Sequence, residues 1–179
     1  MTPEAMTPKQ QERLQTKIKK IKAALAADKR EWGGQYRDGQ GRRYLPPALY
    51  LQLGDYAGGL RYLNWFNKNF PDDSGYPDFL FEWTILLFKA GKLKQAEEKA
   101  FETFCRNTYL FDVFFDRPSR SIEKRELSNL ETLAFASQHF HYRSTQAHLE
   151  DFSDWLLQLQ ATEKFSQACA KYLDVQNAS

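Results

Sequence analysis

Apolar residues recur at helical spacing along most of this 179-residue chain. In the first such stretch the leucines and isoleucines stand four, three and four residues apart, which places them on one face of a helix from Lys9 to about Arg30. Valine and isoleucine are scarce and strict alternation of apolar and polar residues is absent, so the pattern predicts no strand. It predicts an all-α protein with further helices over residues 46–53, 56–70, 79–90 and 93–108, and at roughly 122–140, 146–160 and 162–175.

Turn-forming residues divide this helical pattern. The glycine-rich stretch WGGQYRDGQGRRYLPP follows the first helix, and PDDSGYPD separates two later helices. We therefore expect a flexible tail over residues 1–8, a basic N-terminal helix with its Gly-rich turn over 9–43, and a helical domain over 44–179. Ser121 is expected to cap the helix that starts at 122, with Lys124 at the position where a capping box would have Glu.

Two stretches of the chain share one spacing. LGDYAGGLRYLNWFNKNFP and AGKLKQAEEKAFETFCRNT both carry a glycine, an apolar residue two positions later and a small residue three positions further on. The two glycines are 37 residues apart, and a proline closes the first stretch. The residues that define the spacing are Gly54, Tyr56, Gly59 and Pro71 in the first stretch and Gly91, Leu93 and Ala96 in the second.

This spacing resembles the tetratricopeptide repeat, a helix–turn–helix unit of about 34 residues that stacks on its neighbours. The resemblance implies a right-handed stack of helical hairpins with the two glycines at the turns and an extra basic helix at the N-terminus. Tyr56 and Leu93 would then pack between paired helices. Gly59 and Ala96 would lie where two helices cross, and Gly58 would face outward. The alternative is an unrelated helical bundle with chance glycines.

In tetratricopeptide arrays the first helix of each hairpin lines the concave face, which binds the partner. The resemblance therefore assigns a partner-binding role to Tyr44, Gln52, Asp78, Phe81, Ile85 and Lys89. The Lys, Arg and Asn side chains with which the family clamps a peptide C-terminus are missing at the matching positions, so clamp-type binding is not expected. The alternative for Phe81 and Ile85 is burial beneath the N-terminal helix.

Charge is unevenly distributed along the chain. Residues 1–43 hold eleven Lys/Arg and five Asp/Glu, whereas residues 44–179 hold fourteen and eighteen. A mildly acidic body without a basic stripe makes nucleic acid an unexpected partner, and the longest apolar run, TILLF, is too short for a membrane span. Two isolated cysteines, Cys105 and Cys169, and a polar chain start favour a reducing, cytoplasmic location.

The histidines of the chain form one candidate metal site. His139, His141 and His148 lie in one segment, with Glu131 and Glu150 nearby in the sequence. A separation of two residues places the first two histidines on different faces of a helix. We therefore expect ordinary histidines and no bound metal.

Arg143 and His148 form an R-x4-H spacing. It resembles the ribonuclease motif of small helical HEPN-type domains, in which the histidine acts as a base and the arginine holds the phosphate. This resemblance supplies the enzymatic alternative. The sequence shows no other catalytic grouping, so we expect a non-enzymatic helical-repeat scaffold that binds a protein partner or itself, without a cofactor.

Overall fold

The computed structural model describes residues 5–119 and 125–178, so Ser121, Lys124 and the first four residues of the expected tail lie outside it. Within those ranges the chain forms nine α-helices and no strand, which confirms the all-α prediction. The helices are α1 (Pro8–Glu31), α2 (Pro46–Leu53), α3 (Tyr56–Asn69), α4 (Pro77–Lys89), α5 (Leu93–Arg106), α6 (Leu110–Phe114), α7 (Leu133–His139), α8 (Glu150–Ala161) and α9 (Glu163–Asn177).

The chain divides into two compact units after Gly75. The division falls in the PDDSGYPD loop and not after residue 43, where the sequence pattern predicts the domain boundary. The N-terminal unit contains α1, α2 and α3, and the C-terminal unit contains α4 to α9.

Helix α1 begins with a complete capping box. The Thr7 hydroxyl accepts a hydrogen bond from the Gln10 backbone N–H at 3.2 Å, and the Gln10 side-chain oxygen accepts one from the Thr7 N–H at 2.9 Å. Thr7 and Pro8 therefore start a helix and are not part of a loose tail. Only Ile18 and Leu25 of this long helix are buried.

An ion-pair network holds the Gly-rich turn that follows α1. The Arg43 guanidinium donates from Nη1 to Asp38 at 3.0 Å and from Nε to Asp73 at 2.7 Å. The hydroxyl of Tyr44 donates to the same Asp73 carboxylate at 2.6 Å. Asp38 is buried with its charge paired, so the network joins two loops of the N-terminal unit that lie far apart in sequence.

The hairpins α2–α3 and α4–α5 share the same turn. Gly54 and Gly91 both adopt a left-handed conformation, with φ values of 68° and 76°. In each turn the glycine N–H donates to the carbonyl three residues earlier, and the next N–H donates to the carbonyl five residues earlier, at distances of 2.8 to 3.1 Å. Both helices thus end in a Schellman motif, which requires a residue that tolerates positive φ.

At the α2–α3 crossing the close approach involves Gly58. Both Gly58 and Gly59 are buried. A Cβ atom on Gly58 would lie 2.8 Å from Cε1 of Tyr50 and 2.7 Å from Cγ of Asp55. The prediction that Gly58 faces outward is therefore wrong, because the backbone of α3 passes directly against the Tyr50 ring.

The second hairpin agrees with the predicted packing only in part. Ala96 and Ala100 are fully buried on α5, as small residues at a helix crossing should be. Leu93, however, keeps 47% of its surface exposed. The prediction that it packs between the paired helices is wrong: Leu93 is the first residue of α5, next to the turn that joins the two helices, and its side chain stays largely at the surface. The matching Tyr56, at the start of α3, is half-buried.

The C-terminal unit is built around the aromatic side chain of Phe81. Its ring centroid lies 4.8 Å from that of Phe140, 4.9 Å from Phe114 and 5.4 Å from Phe152. Nine consecutive residues of α4, from 79 to 87, are buried. A helix that is buried on all sides forms the centre of a core and does not line its surface.

The helix expected over residues 122–140 is much shorter in the described residues, where only α7 forms. Ser128 and Thr132 are both N-cap residues: the Ser128 N–H donates to the Glu131 carboxylate at 3.2 Å, and the Thr132 hydroxyl accepts from the Phe135 N–H at 3.0 Å. The buried Asn107 also donates to the carbonyls of Leu130 and Thr132, at 2.8 and 3.0 Å. These side-chain bonds compete with α-helical hydrogen bonds, and the segment directly before α7 forms only the short 3-10 turn Asn129–Glu131.

Candidate functional site

Two of the residues predicted for a concave binding face lie in the core of the C-terminal unit. Phe81 and Ile85 have no exposed area, so neither is accessible to a partner in the folded protein. The rings that cover Phe81 belong to its own C-terminal unit and not to the N-terminal helix. Local patterns do not predict this cover, because Phe114, Phe140 and Phe152 come from three separate segments after α5 that meet only in the folded unit.

The remaining residues of that predicted face differ in their environments. Tyr44 has its hydroxyl bonded to Asp73, as described above, and Gln52 is exposed. On α4, the Lys89 ammonium forms a 2.6 Å ion pair with Asp151 of α8. Most of these polar groups therefore hold the fold together locally.

Asp78 and Glu82 form a carboxyl pair that the sequence analysis missed. They stand four residues apart on α4 and therefore on one face of the helix. Glu82 is buried and accepts a hydrogen bond from the Tyr142 hydroxyl. Burial raises the pKa of Glu82 to about 8 and the negative Asp78 adds to that rise, while the hydrogen bond from Tyr142 opposes it. The available signal was an acidic residue inside the strongly apolar run FLFEWTILLF.

The Arg143–His148 pair does not lie on a single helix. Arg143 belongs to the segment after α7, where its Nη1 donates to the backbone carbonyls of Phe140 at 3.0 Å and Tyr142 at 2.8 Å. His148 lies in the 3-10 turn Ala147–Leu149. Burial and the nearby Lys89 hold the pKa of His148 below its ordinary value. The Arg143 guanidinium thus stabilises the backbone of the segment after α7. The ribonuclease alternative stays a prediction.

The other candidate groupings are the possible metal ligands and the two cysteines. No three His, Cys, Asp or Glu side chains within residues 5–119 and 125–178 are arranged to hold a metal ion. Cys105 and Cys169 do not form a disulfide with each other. Burial raises the pKa of Cys169 to about 12, with a further contribution from Cys105, so the reactive thiolate form is disfavoured at neutral pH.

The N-terminal unit contains a pocket of about 360 Å³ between α1, α2 and α3. Four aromatic side chains line it: Tyr36, Tyr50, Tyr62 and Trp65. The rings of Tyr36 and Trp65 meet edge to face with centroids 5.5 Å apart, and the Tyr62 and Trp65 centroids are 5.3 Å apart. Because these rings hold one another in place, the walls of the pocket are preformed.

The phenol groups of the pocket act as neutral walls. The Tyr62 hydroxyl donates to the backbone carbonyl of Arg43. Burial raises the pKa of Tyr62 well above its ordinary value, and burial together with Asp28 raises that of Tyr36. Both rings remain uncharged near neutral pH, so the interior offers aromatic surface and no reactive phenolate.

Charged side chains surround the pocket. Lys22 and Arg61 line it and are both exposed, and the Lys22 ammonium lies 5.5 Å from the centroid of the Tyr50 ring. Asp55 is the acidic residue of the lining, and it caps α3 by accepting a 2.9 Å hydrogen bond from the Gly58 N–H. The excess of positive charge therefore lies beside the aromatic interior.

No local sequence pattern indicates this pocket, because its residues come from four separate segments of the chain. Lys22 belongs to α1, Tyr36 to the Gly-rich turn, Tyr50 to α2 and Trp65 to α3. One signal was present: a Gly-Gly pair inside a predicted helix indicates a close approach of the backbone to another group.

Comparisons with known proteins add no second line of argument. None of the described helices has both the length and the apolar character that a membrane span requires. Searches against protein-family models, curated proteins and solved structures find no match for this chain.

Proposed function

We propose that the protein is a non-enzymatic helical-repeat scaffold for protein interactions, and that its binding site is the aromatic pocket of the N-terminal unit. The observation that carries this proposal is the preformed pocket of about 360 Å³ with four aromatic side chains and two exposed cations. Aromatic and arginine side chains are the residue types that contribute most to binding at protein interfaces. A partner side chain is of the right size to enter such a pocket.

The repeat part of the proposal rests on the two matching hairpins. Gly54 and Gly91 form turns with the same hydrogen-bond pattern, and a small buried residue follows each glycine five positions later. These features favour a divergent tetratricopeptide-like unit that occurs twice. The proposed repeats differ in length, since α2 has 8 residues and α4 has 13.

A selection from a random peptide library, with the full chain as target, tests the proposed function. Ala26 is exposed and lines the pocket, so Ala26→Trp should fill it without disturbing a buried residue. Ala27→Trp places the same side chain on the next exposed position of α1, outside the lining, and is the matched control. We expect enriched peptides to bind the wild type and Ala27→Trp but not Ala26→Trp. Failure to enrich any peptide, or equal binding to both variants, contradicts the proposal.

A further inference from the structure

We infer that the pocket of the N-terminal unit binds an internal segment of a partner protein in which one bulky apolar side chain is flanked by acidic residues. This inference rests on the proposed function and adds the chemistry of the partner. The aromatic interior would take the apolar side chain, and the cations at the opening would pair with the flanking carboxylates.

The position of the cations supports the acidic part of the inference. Lys22 and Lys29 stand seven residues apart on α1, and their ammonium groups lie 5.5 and 5.3 Å from the ring centroids of Tyr50 and Tyr36. Both lysines are exposed, and the exposed Arg61 contributes a third positive charge from α3. These contacts hold the ammonium groups close to the aromatic walls, where a bound segment would run.

The net charge of the whole N-terminal unit also favours an acidic partner segment. Residues 4–75 contain thirteen Lys/Arg and eight Asp/Glu, a net charge of +5, whereas residues 76–179 contain twelve and fifteen, a net charge of −3. A positive unit attracts acidic segments during diffusion and repels basic ones. The single lining carboxylate, Asp55, already accepts a hydrogen bond from the α3 backbone.

The shape of the pocket favours a side chain over a nucleic-acid base. Single-stranded nucleic acids stack on open aromatic faces along a cationic track. Here Tyr50 and Tyr62 are only 6% and 4% exposed, and the rings enclose a volume and do not form a platform. One indole or phenyl group fits this volume.

Chemical-shift mapping by NMR with defined probes tests the inference on the full chain. The probe is the acetylated and amidated pentapeptide Glu-Glu-Trp-Glu-Glu, which has no terminal carboxylate. The comparison probes are Lys-Lys-Trp-Lys-Lys, Glu-Glu-Ala-Glu-Glu and a short oligouridine. We expect the first to bind with shifts at Tyr36, Tyr50 and Trp65, and the lysine and alanine peptides to bind at least about tenfold more weakly. Raising the salt concentration from about 50 mM to about 500 mM should lower the affinity for Glu-Glu-Trp-Glu-Glu.

Variants locate the charges that matter. Lys22→Ala and Arg61→Ala should each lower the affinity for the acidic peptide about threefold. Ala26→Trp should abolish binding of this peptide. Lys17→Ala, an exposed position of α1 outside the lining, is the control and should leave it unchanged. Equal binding of the acidic and basic peptides, no effect of Ala26→Trp, or oligouridine shifts at the same rings would each overturn the inference.

The two levels of the proposal fail in different ways. If the peptide library yields neutral or basic ligands that Ala26→Trp blocks, the proposed function stands and the inferred partner chemistry is wrong. If no peptide of any charge occupies the pocket, both are wrong.

Discussion

At Gly58 the backbone of α3 comes into contact with the Tyr50 ring, and this contact sets the floor of the aromatic pocket. Glycine in the interior of a helix costs up to about 1 kcal/mol relative to alanine. Here the absence of a Cβ atom leaves room for Tyr50 and for the Asp55 carboxylate that caps the helix. The low helix propensity of Gly58 is therefore offset by the close packing of α2, α3 and the Asp55 cap that it allows.

We predict that Gly58→Ala destabilises the protein. The new methyl group would stand 2.8 Å from Cε1 of the buried Tyr50 and 2.2 Å from Oδ2 of Asp55, so the cap has to move and the ring has to shift. The expected net cost is about 1–2 kcal/mol, because overpacking and a weakened cap exceed the gain in helix propensity. Denaturant unfolding measures it. Asn64→Ala, at an exposed position of the same helix, is the control and should not destabilise; a stabilised Gly58→Ala would show that the crossing is not tight.

The buried carboxyl of Glu82 leads to a prediction about pH. Its pKa is about 8 in the folded protein and near 4.5 when the chain is unfolded. Between these values the folded state holds a proton that the unfolded state has lost, so this group lowers the stability as the pH rises from about 4.5 to about 8. Glu82→Gln removes the titration and keeps a polar group opposite Tyr142.

We expect Glu82→Gln to be more stable than the wild type by roughly 1–3 kcal/mol at pH 7 and to show little gain at pH 4. Unfolding by denaturant at several pH values measures the difference. Glu150→Gln changes an exposed carboxyl of the same unit and should show no such pH-dependent gain. A constant difference between Glu82→Gln and the wild type across that range would mean that Glu82 does not titrate as described.

The elements show which parts of the fold can be predicted from this sequence. Helices with a clear period and strong turn signals, such as α1 and α2–α3, have nearly the predicted bounds because local hydrogen bonding and patterning decide them. The segment before α7 does not, because Ser128 and Thr132 offer competing caps and the distant Asn107 binds its carbonyls. The pocket was missed for a related reason: it depends on how four segments pack, which no local pattern contains.

The matching turns of the two hairpins give a prediction at the scale of the element. Gly54 and Gly91 have positive φ and open space around the position of a Cβ atom, so an alanine there is strained by its backbone alone. Gly54→Ala and Gly91→Ala should each cost about 1–2 kcal/mol. Gly39→Ala, also in open space but outside the positive-φ region, is the control and should be close to neutral. Thermal melting of the three variants compares them; clearly different costs at Gly54 and Gly91 would argue against equivalent turns.

At the scale of the whole molecule the chain combines two units of different character. The N-terminal unit is basic and carries an aromatic pocket, while the C-terminal unit is acidic and is centred on the fully buried Phe81. Two of the α4 side chains that the sequence assigned to partner binding, Phe81 and Ile85, belong to this second core. The proposed binding site and the Phe81 core therefore involve different hairpins, although the hairpins share one turn geometry.

This division predicts how substitutions combine. Gly58 contacts Tyr50 and Asp55 within the N-terminal unit, and Glu82 contacts Tyr142 within the C-terminal unit. Substitutions without shared partners usually add to within about 0.5 kcal/mol. The double variant Gly58→Ala/Glu82→Gln should therefore change the free energy of unfolding at pH 7 by the sum of the two single effects, the second opposing the first.

Denaturant unfolding of the wild type, both single variants and the double variant completes the cycle. Tryptophan fluorescence is a suitable probe because Trp32 and Trp65 belong to the N-terminal unit and Trp83 and Trp155 to the C-terminal unit. A second double variant, Gly58→Ala/Asp55→Ala, supplies the contrast. There the two residues touch, the cap is already lost in Asp55→Ala, and the combined cost should fall short of the sum. An interaction energy above about 1 kcal/mol in the first cycle would contradict the assignment of the two sites to separate units, and none in the second would contradict the contact between Gly58 and the Asp55 cap.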